Sequence, residues 1–282
     1  MKIFTEKTQI QNTIKQIKAK DLTIGFVPTM GALHEGHLSL VDEAFKNSDV
    51  IVVSIFVNPT QFDNKEDLKK YPRTLEVDAK LLSSLSNDII IYAPTVDDIY
   101  DGKTVAEHFS FDGLEFEMEG KFRAGHFDGV GTIVKRLFEI VKPNNAYFGK
   151  KDFQQFMIIK KLVEKHQLPV KIIGCEIHRE TNGLAMSSRN MRLKKDYKQA
   201  APFIYKTLKS AKKKFGTKSA KKVIEWVENE FSNHKLLTLE YFIIADQETL
   251  KPTIRKSKKK SYRAFIAVYA DEIRLIDNIA LN

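Results

Sequence analysis

Three short apolar runs in the first third of the chain, each halted near a proline, restrict the fold more than any other feature. They are Leu22-Thr23-Ile24-Gly25-Phe26-Val27 before Pro28, Val50-Ile51-Val52-Val53-Ser54-Ile55-Phe56-Val57 before Asn58-Pro59, and Ile89-Ile90-Ile91-Tyr92 before Ala93-Pro94. Runs this apolar on both faces suit parallel strands covered by helices on either side. Residues 37–45 and 77–85, between and after them, are helix-like. In a longer pattern Val130, Ile133, Val134, Leu137, Phe138 and Val141 recur at spacings of three and four, with Pro143 just past the end. Strand, helix, strand in this order predicts a doubly wound parallel α/β sheet with a ligand crevice at the C-terminal ends of its strands.

The texture changes after about residue 176. Residues 192–215 and 218–231 read as lysine-rich helices, and 239–244, 262–270 and 272–277 as antiparallel strands. A chain of 282 residues is long enough for two ordinary domains. The expected division is 1–176, an α/β domain, and 177–282, a smaller C-terminal α+β domain. Much of the net charge of +10 lies in the second part, in lysines 194–222 and in Lys256-Ser257-Lys258-Lys259-Lys260. Few aromatics interleave with these lysines and no nucleic-acid-binding signature accompanies them, so they read as a solvated surface rather than a nucleic-acid face. No apolar run approaches the roughly 20 residues that span a bilayer, and the N-terminus does not read as a signal peptide. The single cysteine, Cys175, sits in an apolar run and reads as a small buried hydrophobe. One thiol forms no internal disulfide, which fits a reducing, cytoplasmic setting.

The densest chemistry is Val27-Pro28-Thr29-Met30-Gly31-Ala32-Leu33-His34-Glu35-Gly36-His37, which follows the first run and opens a helix. A helix N-terminus offers unpaired N–H groups and a partial positive charge, and so attracts phosphate. Gly31 and Gly36 let the backbone approach a ligand closely. His34 and His37, three apart, share one face of the first turn. Beside bound phosphates such a pair donates to charge that grows on an attacked α-phosphate, and phosphate contact favours its charged forms. Zinc is the competing reading, but it wants three or four ligands, and no nearby cysteine or second histidine pair supplies them. No Gly-x-x-x-x-Gly-Lys-Ser/Thr segment occurs, nor any Gly-x-Gly-x-x-Gly after a strand, so γ-phosphoryl transfer and hydride transfer lose ground.

This segment resembles the His-x-x-His signature of the nucleotidylyltransferase superfamily, and as Met-Gly-Ala-Leu-His-Glu-Gly-His it is similar to pantothenate synthetases. Further segments agree with that family: Ser54-Ile55-Phe56-Val57-Asn58-Pro59-Thr60-Gln61-Phe62, Tyr71-Pro72-Arg73, Arg123-Ala124-Gly125-His126-Phe127-Asp128-Gly129-Val130, Tyr147-Phe148-Gly149-Lys150-Lys151-Asp152-Phe153-Gln154-Gln155, and Gly183-Leu184-Ala185-Met186-Ser187-Ser188-Arg189-Asn190. The resemblance runs over most of residues 22–192. It implies a Rossmann-like fold and a two-step ligation. Pantoate attacks the α-phosphate of ATP to give pantoyl adenylate and pyrophosphate; β-alanine then attacks the acyl carbon and releases AMP.

At the ATP site the resemblance implies Met30, Gly31, His34, Gly36, His37, Gly149, Lys151, Asp152, His178, Met186, Ser187, Ser188 and Arg189. His37, as proton donor, His34 and Lys151 would carry the catalysis. Gln61, Gln155 and Asn58 would serve pantoate and β-alanine, neutral amides matching hydroxyls and a carboxylate. Mg²⁺ would ride on the triphosphate with no protein cage, and a homodimer is implied. Arg73 and Asp78 are equally compatible with a surface role. Two positions depart from the family pattern: Ala124 replaces a usual proline, and His178 a common valine beside adenine. Two other activities stay open. A nucleotidylyltransferase acting on a phosphorylated acceptor would want cations where Gln61 and Gln155 stand. A nucleic-acid-binding module would use the late lysines.

Overall fold

A computed structural model describes residues 1–62 and 65–282. The chain divides into two compact units, Met1–Lys150 with Gln154–Glu176, and Lys151–Phe153 with Ile177–Asn282.

The first unit is built on a parallel sheet of six strands among the described residues: β1 (Lys2–Phe4), β2 (Ile24–Thr29), β3 (Val50–Ile55), β4 (Ile90–Tyr92), β5 (Asn145–Gly149) and β6 (Lys171–Cys175). Their order is β1-β4-β3-β2-β5-β6. From β2 the chain builds outward through β3 to β4, then returns to the other side of β2 for β5 and β6. The order therefore reverses between β2 and β5, and a crevice opens at their C-terminal ends.

Both faces of this sheet are covered. On one, Val27, Ile51, Val53, Ile91 and Tyr147 pack with Leu38, Val41 and Ala44 of the helix Glu35–Phe45 and Leu82 of the helix Leu75–Ser83. On the other, Phe138 of the helix His126–Val141 meets Phe26 and Phe148 edge-on, with ring centroids 6.2 and 6.4 Å apart. Each such side chain contributes about 1.5–3 kcal/mol by leaving water. Apolar strands covered on two sides are what the uninterrupted runs required.

The strands differ from expectation in detail. β2 runs through Pro28 to Thr29 instead of stopping before the proline. Thr29 O accepts from Phe56 N on the β3 side, so Thr29 and Val27 direct their peptide groups to β3 and Pro28 directs its own toward β5. There the pairing has already ended at Phe26 with Ala146, and the missing N–H costs no ladder bond. β1, β5 and β6 are additional strands. β1 is three residues long at a sheet edge, too short to show a period.

The second unit holds an antiparallel sheet, β7 (Leu237–Asp246), β8 (Tyr262–Ala270) and β9 (Ile273–Ala280), in that order. Helices Lys195–Ala200, Phe203–Thr217 and Ala220–Ser232 precede it. The expected single helix over 192–215 is interrupted at Pro202, which lacks the N–H needed to continue the ladder. Leu208, Ala211, Phe215, Val223, Val227 and Phe231 pack on Tyr262, Ala264, Ile266 and Val268, while Lys212, Lys213, Lys221 and Lys222 stay exposed. The lysine-rich texture is the outer side of amphipathic helices.

Candidate active site

In the first unit the chain leaves β2 at Met30 and turns within four residues. Gly31 and Ala32 both have positive φ, 83° and 50°. At Gly31 a Cβ would lie 3.1 Å from both Asp78 Oδ2 and an Ile55 methyl, so glycine here serves the turn itself. Asp78 is 1% exposed and closes the turn: Ala32 N donates to Oδ2 at 3.0 Å and Leu33 N to Oδ1 at 2.8 Å. The Thr74 hydroxyl adds a bond to Oδ2 at 3.2 Å. The surface role considered for Asp78 is thereby replaced by an internal one.

His34 caps the helix that follows. Gly36 N donates to His34 Nδ1 at 3.1 Å, and His34 N donates to His37 Nδ1 at 3.2 Å. The two rings lie 4.1 Å apart, tilted by 40°. A backbone amide can only donate, so each Nδ1 is an acceptor and each ring carries its proton on Nε2. With both Nδ1 atoms engaged by the backbone, each ring presents Nε2–H as its donor.

Met30 also meets the next strand's loop. Gln61 Nε2 donates to Met30 Sδ at 2.9 Å. Gln61 O accepts from Arg123 Nη2 at 3.2 Å and pairs with His126 Nδ1 at 2.8 Å. Asn58, 1% exposed, uses its whole amide internally. Its Nδ2 donates to Gln61 Oε1 at 3.2 Å and Gly129 O at 3.1 Å; its Oδ1 accepts from Tyr100 at 2.6 Å and Thr60 at 3.1 Å. Asn58 thus has no capacity left for substrate and acts as the anchor of Gln61. Gly129 makes this approach possible, since a Cβ there would fall 2.3 Å from Thr60 O.

Of the adjacent glutamines, Gln154 is buried and bonded to Leu114 O at 2.8 Å, Glu117 O at 2.7 Å and Glu119 N at 3.0 Å. Gln155 is half-buried and takes no part in those bonds. Gly149 closes β5, and a Cβ there would touch nothing within 4 Å, leaving open room beside the strand end. A cleft of about 330 Å³ opens at the ends of β2, β3 and β4, lined by Met30, Gly31, Phe56, Arg73, Thr74 and Thr95 among others.

The second unit carries the remaining residues. Lys151 Nζ lies 3.4 Å from Asp152 Oδ1. Met186 N donates to His178 O at 3.0 Å and Arg179 bridges to Ala185, making a tight reversal. The backbone carbonyl of His178 is engaged there whatever the side chain. Asn190 ties the far side, donating to Glu180 Oε1 at 2.9 Å and Ala185 O at 3.1 Å. Ser187 Oγ then accepts from Arg189 N at 3.3 Å and caps the short turn Ser188–Arg192. Met186, Ser187, Ser188 and Arg189 therefore sit together on one bonded loop. Asp78 and the cap-forming role of the histidines were the features the sequence did not disclose.

A doubly wound parallel sheet whose order reverses beside a histidine-capped helix N-terminus defines a nucleotide-binding α/β protein of the His-x-x-His type. The comparisons are more specific. A family model described as pantoate-beta-alanine ligase matches residues 2–280. The chain is 60% identical to the pantothenate synthetase of Flavobacterium psychrophilum over 281 residues, covering 100% of both, and 57% identical to that of Christiangramia forsetii over 282 residues, again covering 100% of both. The crystal structure of pantothenate synthetase from Thermus thermophilus superposes with a TM-score of 0.91 at 35% identity, covering 100% of this chain and 99% of that one. The crystal structure of pantoate-beta-alanine ligase from Francisella tularensis complexed with beta-gamma ATP and β-alanine gives 0.83 at 37% identity, covering 100% of this chain and 98% of that one. The chain belongs to the pantoate–β-alanine ligase family.

Proposed function

We propose that the chain condenses pantoate with β-alanine through a pantoyl adenylate, with the capped pair His34 and His37 as the donors that stabilise the attacked α-phosphate. The observation that carries this reading is the pair itself: two Nε2–H donors fixed at the helix start where the sheet order reverses. A carboxylate is already a nucleophile at neutral pH, so the first step needs positioning and charge stabilisation more than a base. The backbone of Met30, Gly31 and Gly36 and the helix dipole favour the phosphates; Gly149 leaves room beside β5. Lys151, Ser187, Ser188 and Arg189 are read as ligands of ATP phosphates, arginine by paired bonds, and Asp152, His178 and Met186 as further nucleotide contacts.

Gln61 and Gln155 hold pantoate, and Asn58 holds Gln61. Among the described residues no group of three His, Cys, Asp or Glu is placed to hold a metal. Mg²⁺ carried on the triphosphate, where it would neutralise charge, belongs to the same reading. A homodimer and a cytoplasmic setting belong to the same reading. For membranes, no helix among the described residues is long and apolar enough to cross one.

The test is pantoate-dependent exchange of labelled pyrophosphate into ATP without β-alanine. Exchange supports the adenylate. No exchange, with nucleotide transfer to a phosphorylated acceptor instead, overturns it.

A further inference from the structure

Asp277 and Asn278 are neighbours on β9, only 4% and 2% exposed. Successive strand residues point to opposite faces of a sheet, and here each face holds a different segment of the second unit. On the helix-packed face, Arg179 donates to Asp277 through Nη1 at 2.6 Å and Nη2 at 2.9 Å. Arg179 also lies 3.6 Å from the Tyr205 ring centroid and donates to Gly183 O at 3.1 Å. That fixes the base of the reversal leading into Ser187, Ser188 and Arg189.

On the opposite face, Asn278 accepts from Arg263 Nη1 at 2.6 Å and donates through Nδ2 to Lys151 O at 2.8 Å. The Arg263 guanidinium sits 4.1 Å from the Phe153 ring, whose centroid lies 5.9 Å from that of Phe265. Phe265 is the direct cross-strand partner of Asn278. The stretch Lys151–Phe153 is thus pinned at its first residue by an amide and at its third by two side chains. A flexible lysine reaches a phosphate reproducibly only if its backbone is fixed.

We infer that Asp277 and Asn278 are a pair of positioning residues for ATP: Asn278 sets Lys151, and Asp277, through Arg179, sets the loop of Ser187 and Arg189. The inference rests on the ligase reading above, which gives Lys151 and Arg189 to the phosphates. It extends the site to the last strand of the chain.

A double-mutant cycle in the full chain tests it, read by pantoate-dependent pyrophosphate exchange. Asn278→Asp keeps an acceptor for Arg263 and removes the donor to Lys151 O. The KM for ATP is expected to rise about tenfold, with the pantoate KM changed less than about twofold. In a Lys151→Ala background the same substitution adds less than about twofold, because residues acting through one another are not additive. Asn278→Ala carries the same cycle should the aspartate variant fail to fold, and thermal melts identify that case. An unchanged ATP KM, equal losses toward ATP and pantoate, or a full loss on top of Lys151→Ala would overturn the inference. A Lys151→Ala enzyme exchanging at the wild-type rate is a different failure: it removes Lys151 from the phosphates and takes the underlying reading with it.

Discussion

The two units secure their chemistry by different means. In the first, the histidine cap is tied by groups two and three residues away, and the turn before it by Asp78, 46 residues on. In the second, Lys151 is tied by Asn278, 127 residues away on the last strand. Short ties form as soon as the local turn forms. The distant tie exists only when the whole antiparallel sheet is built. Damage far from the chemistry should therefore be felt unequally, little at the histidine turn and strongly at Lys151.

The sharpest way to break this contrast is His37→Ala. Loss of one donor to the transition state should lower the adenylation rate by about 10²–10³ in single-turnover experiments; an unchanged rate would remove the turn from the chemistry. Asp78→Ala comes next. It strands two buried N–H groups, and denaturant unfolding should show a loss of about 2–4 kcal/mol together with weakened ATP use. Retained stability would mean that the turn holds itself.

The adjacent glutamines offer a smaller, paired test. Gln155→Ala should raise the pantoate KM about tenfold with little change in melting temperature, whereas Gln154→Ala should cost about 1–3 kcal/mol of stability. The reverse pattern would exchange their roles. The smallest effect concerns Cys175. Burial disfavours the thiolate and pushes this thiol up to about 11. Alkylation at pH 8 should thus be slow in the native protein and fast in denaturant, with exchange activity unaffected by the native treatment.

The strand–turn–helix around His34 and the doubly wound sheet were legible because periodicity, prolines and glycines all agree there. Asp78 was ambiguous for a physical reason: an acid in a helix's first turn is common on surfaces, where it answers the helix dipole. Nothing in its spacing reveals a loop folded back upon it. Asn278 was hidden differently. The sequence reading stops the last strand at Asp277, before an Asn of a type scarce in strands, yet the ladder continues to Ala280. Asn58 looked like a ligand in sequence because two of its four internal partners, Tyr100 and Gly129, come from distant parts of the chain.

The histidine cap has a further consequence. Because each imidazole is gripped through its inner nitrogen by the backbone that it caps, its orientation is settled when the helix forms. The rotamer freedom of the two rings is lost during folding, and a nucleotide arriving later meets a preorganised polar surface that needs little rearrangement to receive developing charge.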